Sequence, residues 1–217
     1  MVLRMNTITQ ENEIDRRQLV RKGRLLEGFT IAWNSLEGII AIVSGIIAGS
    51  IALVGFGFDS GIEVLSGLVL LVRLSLDVHE EKREFFEKVS LRLVGVSFLL
   101  LAGYVSFDSV SMLLRHSAPQ ESMTGIVLAV VSLVVMPWLA RQKRIIAASI
   151  QSGALAADAR QTDFCVYLSV ILLVGLALNA LFGFWWADPV AALLMVPLIF
   201  KEGLEGIKGN SCCSDCH

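Results

Sequence analysis

Two acids stand inside a long apolar run. From Gly38 to Val72 the only charged residues are Asp59 and Glu63, four positions apart. On a helix that spacing puts both carboxylates on one face, one turn apart. An ionised carboxylate at membrane depth costs about 3 kcal/mol on insertion scales. Two on one face also repel each other. A cation between them removes most of that cost, so the pair reads as half of an intramembrane metal site. The competing reading is a protonated or hydrogen-bonded polar contact between helices.

A second set follows a hundred residues later. Asp158, Gln161 and Cys165 recur at i, i+3 and i+7 and line one helix face, while Asp163 points away from it. Carboxylate oxygens, an amide oxygen and a thiolate together suit a borderline ion such as Zn²⁺ better than Mg²⁺ or Ca²⁺, which take oxygen shells. The metal set is therefore Asp59, Glu63, Gln161, Cys165 and Asp158. Gln161 could instead join helices. Cys165 could be a small buried side chain, and Asp158 could face the cytoplasmic entrance. Asn34 and Glu37, at i, i+3, together with Asp108 and Asp163, are candidates for supporting or gating groups; Asp108 alternatively sits near the outer interface. The tail holds a third set, Cys212, Cys213, Cys216 and His217, dense enough for soft-metal capture but too compact for a zinc finger.

The elements that must position these residues are apolar and long. Of 217 residues 55% are apolar, and the mean hydropathy is +0.70. Soluble domains hold about 45–50%, and the excess falls in blocks of about 20 residues, the length that crosses a bilayer. The expected fold is an all-α integral membrane protein. Its six transmembrane helices run over about 29–48, 51–73, 93–114, 123–140, 145–182 and 190–200, the last extending toward 207. Residues 1–27 form a polar N-terminal segment, 28–208 the membrane domain and 209–217 the Cys/His tail. Gly49-Ser50 is the turn between the first two helices, and Pro137 is expected to kink the end of the fourth, with Arg141–Arg144 closing it. Asp188-Pro189 reads as N-cap and first position of the last helix. The connector 74–91 reads as a charged helix extension, with His79 exposed.

Of the 18 lysines and arginines, only Arg115 falls on the opposite side from the rest when six helices are drawn. Positive-inside bias then puts both termini in the cytoplasm. The first 27 residues do not look like a signal peptide. The four cysteines do not form a secreted disulfide framework. A net charge of −2 gives no reason to expect nucleic acid. There is no nucleophile–base pair, zinc-protease motif or phosphate loop, so an enzyme is not expected.

Four motifs carry a family resemblance. Ser50-Ile-Ala-Leu-Val-Gly-Phe-Gly-Phe-Asp-Ser-Gly-Ile-Glu63 resembles the helix 1–2 turn and helix 2 motif of the cation diffusion facilitator family. Ala157-Asp158 resembles the lead-in to that family's helix 5 motif. Ala102-Gly-Tyr-Val-Ser-Phe-Asp108 is similar to the end of its helix 3, and Trp186-Ala-Asp-Pro189 to the start of its helix 6. The resemblance covers roughly residues 30–207. It implies a six-helix cation-efflux domain whose helix 2 metal positions fall on Asp59 and Glu63 and whose helix 5 positions fall on Gln161 and Cys165. It also implies a metal/proton antiporter, a homodimer and a cell-membrane location, with a bacterial inner membrane the expected one. The chain departs from the pattern in three places. Helix 5 lacks the His/Asp pair, the 2–3 connector lacks its usual His/Pro segment, and no cytoplasmic domain follows helix 6. A short, divergent branch is the reading. The expected function is efflux of a divalent transition metal, Zn²⁺ foremost, in exchange for protons, with membrane lipids as surroundings and no obligatory cofactor. The alternative is a non-transporting membrane metal-binding or adaptor protein that works through its tail.

Overall fold

A computed structural model describes residues 2–75, 80–116, 119–150 and 152–208. The tail cysteines, His217 and His79 lie outside the described residues. Six helices run α1 Val2–Ala48, α2 Ile51–Ser75, α3 Glu80–Arg115, α4 Met123–Ile150, α5 Gly153–Phe182 and α6 Ala187–Lys208. Among the described residues there is no strand.

The turns follow from local chemistry. Gly49 takes a left-handed conformation, φ +68, which a glycine adopts without strain. The chain then reverses, with the Ser50 N–H donating to the Gly45 carbonyl at 2.9 Å. The Ser50 hydroxyl accepts from the Leu53 N–H at 3.1 Å, the N-cap of α2. Ser152 caps α5 in the same way, through the Leu155 N–H. At the other end of α5, Gly183 at φ 65 closes the helix on the Asn179 carbonyl.

Three boundaries differ from expectation. The N-terminal segment is not a separate leader: α1 is one helix of 47 residues, and Glu27 within it is buried. Charged side chains do not break a helix, so the polar composition concealed its continuity. α4 does not close at Arg141–Arg144 but runs through Pro137 to Ile150. A proline removes one backbone donor and can be carried inside a long helix. Asp188 is not the cap of α6. It lies inside the first turn of that helix, and its carboxylate reaches across to α2. There it accepts from the Ser50 hydroxyl, from the Ile51 N–H at 2.9 Å and from the Ala52 N–H at 3.5 Å.

Helix α2 sits centrally, packed against α1, α3, α5 and α6, while α4 pairs with α5 and α3 with α6. Close approach is bought with glycine. A Cβ on Gly57 would lie 2.9 Å from the Ile42 nitrogen and 3.0 Å from the Gly38 carbonyl oxygen, so α1 and α2 meet backbone to backbone. A Cβ on Gly95 would lie 2.6 Å from the Ile207 nitrogen, which joins α3 to α6 in the same manner. The main core gathers Phe56, Ile62, Phe98, Leu101, Leu168 and Leu172. The outside is apolar as well: Phe107 is 75% and Leu114 76% exposed. That surface suits lipid rather than water.

Stretches in five helices are long and apolar enough to cross a membrane: Gln18–Ala48, Ile51–Val72, Gly95–Arg115, Met123–Ile150 and Asp158–Phe182. The sixth helix, α6, runs alongside α3 and turns charged from Lys201 onward. The architecture is that of an all-α, multi-pass membrane protein.

Candidate metal centre between α2 and α5

Gly57 brings α2 against α1, and the next turn of α2 carries Asp59, Ser60 and Glu63. All three are buried. From α5, Cys165 enters the same space. Its Sγ lies 3.0 Å from Asp59 Oδ2 and 2.9 Å from Glu63 Oε2. The thiol proton is thus offered to both carboxylates. As they stand the three groups are closed on one another, and among the described residues no set of three or more His, Cys, Asp or Glu is spaced to hold an ion. An ion entering here takes the place of the thiol proton, and the two oxygens move apart to admit it.

The α1 candidates border this cluster. Glu37 Oε2 accepts from the Ser60 hydroxyl at 3.1 Å, one residue along from Asp59. Asn34 is fully buried, and neither its amide nitrogen nor its oxygen has a hydrogen-bonding partner among the described residues.

Helix 5 places its candidates less evenly than their spacing suggested. The buried face runs through Asp158, Thr162, Cys165 and Ser169, at i, i+4, i+7 and i+11. Gln161 is on the edge of that face, half-buried, with its amide nitrogen unpartnered. Asp158 is buried but faces Lys143 of α4 rather than Cys165: the ammonium lies 2.5 Å from Asp158 Oδ2 and 3.2 Å from Glu27 Oε2 of α1. Asp163 points outward, as its position on the helix required, and accepts from Arg144 at 3.1 Å. Asp108 is remote from the cluster. It lines an open cavity of about 570 Å³ with Tyr104, Arg115, Gly45 and Phe58, between the Gly49 end of α1 and α2 and the end of α3.

Sequence reasoning missed Lys143, Thr162 and Glu27. Lys143 was counted among the surface charges of the 4–5 connector, yet it is fully buried. Two carboxylates from different helices hold it there, which is how a buried lysine is tolerated. It also donates to Thr162 Oγ1 at 3.2 Å. Thr162 in turn donates to Glu63 Oε1 at 2.7 Å. A continuous polar chain therefore runs from Glu27 through Lys143 and Thr162 to Glu63, Cys165 and Asp59. A signal for Lys143 existed: Met136, Leu139, Ala140, Lys143 and Ala147 are all buried and recur at helical spacing.

Comparison with known proteins agrees with this architecture. Residues 29–211 match the family described as the cation efflux transmembrane domain. The chain is 24% identical over 182 residues to the uncharacterized transporter MJ0449 of Methanocaldococcus jannaschii, covering 81% of this chain and 64% of that protein. It is 27% identical over 169 residues to the magnetosome protein MamB of Magnetospira sp., covering 75% of this chain and 57% of that one. The same figures hold for MamB of Paramagnetospirillum magneticum. The chain thus spans somewhat less than two thirds of the length of these relatives. A match over the whole six-helix bundle, with paired acids on its central helix, shows that the chain belongs to the cation efflux family of integral membrane transporters.

Proposed function

We propose that the protein carries a divalent transition metal, Zn²⁺ foremost, out of the cytoplasm in exchange for protons. The ion is held between α2 and α5 by Asp59, Glu63 and Cys165, with the Gln161 amide oxygen completing the shell. The observation that supports this best is the convergence of one thiol and two carboxylates from two helices, all buried at membrane depth. Membranes tolerate such groups where they serve an ion or proton path. A thiolate beside carboxylates favours Zn²⁺ over the hard ions.

Exchange follows from the same three groups. The ion enters as the thiol proton leaves, and protons arriving from the opposite side return to Cys165 and the carboxylates and release it. Asp158, paired with Lys143, stands at the cytoplasmic entrance when both termini face the cytoplasm. Rocking of the helices about the site exposes it to each side in turn. The working form is proposed to be a homodimer in a bacterial cell membrane.

The test is Zn²⁺ uptake into proteoliposomes with a pH-sensitive dye inside. Wild type should show flux with opposite proton movement. Asp59→Asn should fall to the level of protein-free vesicles while remaining monodisperse. Undiminished flux in Asp59→Asn overturns the reading. Deleting residues 210–217 should leave flux intact; its loss would instead favour a protein acting through the tail cysteines.

A further inference from the structure

The chain Lys143–Thr162–Glu63 does more than fill space, because each link constrains the next. A lysine ammonium only donates. Thr162 Oγ1 must therefore accept from Lys143, at 3.2 Å. Its single proton then has two acceptors within reach, Glu63 Oε1 at 2.7 Å and the Asp158 carbonyl at 3.2 Å. The shorter bond, to a carboxylate, is the stronger. The ammonium is itself fixed by Glu27 of α1 and Asp158 of α5, so the hydroxyl has no freedom to rotate away. Glu63 Oε1 is thereby occupied, and only Oε2, 2.9 Å from Cys165 Sγ, faces the ion's place.

We propose that Lys143 and Thr162 are positioning residues that limit Glu63 to one ion-binding oxygen and so set a preference for four-coordinate over six-coordinate ions. This rests on the carrier reading above. A glutamate that binds through both oxygens adds a ligand without adding a side chain, which suits larger ions with six or more oxygens. Zn²⁺ is content with four donors in a tetrahedron. For Glu63 to turn bidentate, Oε1 must leave Thr162, stranding a buried hydroxyl that faces a buried ammonium. The site resists that change, and with it an ion such as Mn²⁺ that prefers an oxygen-rich octahedron.

The experiment compares Zn²⁺ and Mn²⁺ uptake by wild type, T162V and T162S in proteoliposomes. T162V keeps the shape and removes the hydroxyl; T162S keeps the hydroxyl. The ratio of kcat/KM for Zn²⁺ over that for Mn²⁺ should drop about tenfold or more in T162V, the usual effect of removing a group that orients a metal ligand, and T162S should keep the wild-type ratio. A folded T162V with both ions slowed equally, and the ratio unchanged, overturns the proposal. The full chain in detergent, titrated with Co²⁺, gives a reading that needs no variant. Wild type should show the intense visible bands of a four-coordinate centre with a sulfur ligand, and the weak spectrum of six-coordination overturns the proposal. Co²⁺ bound with those intense bands but no flux of any ion would defeat the carrier reading alone. A wild type that binds no Co²⁺ overturns both.

Discussion

Lys143 neutralises one of two carboxylates that have no hydrogen-bonding partner among the described residues apart from it. Removing one partner of a buried ion pair is costly because the others keep their charge without compensation, about 3–5 kcal/mol. Lys143→Met is therefore expected to lower the thermal midpoint in detergent sharply, and Lys143→Met with Glu27→Gln should recover part of the loss. A single variant as stable as wild type would mean that water reaches the cluster. The helix 2 half of the site was legible in the residues, since Asp59 and Glu63 have no charged neighbour within the apolar run and share a face. Cys165 was legible by its spacing from Asp158. Lys143 was not, because Arg141 and Arg144 flank it and a run of cations reads as solvated surface. Thr162 carries no charge and drew no notice, though it lies one turn from Asp158. With Thr162 included, the face of α5 centres on 158, 162 and 165, which leaves Gln161 at its edge.

Among the elements, the contact of α1 with α2 decides whether Glu37 and Asp59 face a common space. A Cβ on Gly57 would meet backbone on α1, whereas one on Gly61 would meet nothing within 4 Å. Gly57→Val is expected to wedge the two helices apart at a cost of about 1–3 kcal/mol, as overpacking does, and to cut Zn²⁺ uptake. Gly61→Ala should leave both melting and uptake unchanged. Equal behaviour of the two variants in a paired melting and uptake assay would contradict this packing. The turns of the fold were written plainly in Gly49-Ser50 and in the polar stretches between apolar blocks. The extents of α1 and α4 were not. Composition marks where a helix meets lipid, not where it stops, so α1 continues through its charged first half and α4 through Arg141 and Arg144.

For the whole molecule, apolar surface on the outside and a polar chain through the middle leave Cys165 as the one cysteine of the spans. In a variant with Cys212, Cys213 and Cys216 replaced by serine, alkylation of Cys165 by a small maleimide should be slowed severalfold by Zn²⁺. Labelling indifferent to Zn²⁺ would place the ion elsewhere. The tie from Asp188 to α2 spans the bundle, and Asp188→Ala should cost about 0.5–2 kcal/mol, as lost N-terminal caps do, read as a lower melting midpoint. That tie also has a consequence in time. Asp188 follows Ser50 by 138 residues, and synthesis runs from the N-terminus. The first helical hairpin must therefore enter the bilayer before its last partner exists, with only the Ser50 hydroxyl covering the exposed amides of α2. Arrival of the sixth helix completes the first turn of the second, so the beginning of the bundle is finished by its end, and a chain halted before Asp188 carries bare donors for the cell's quality control to detect.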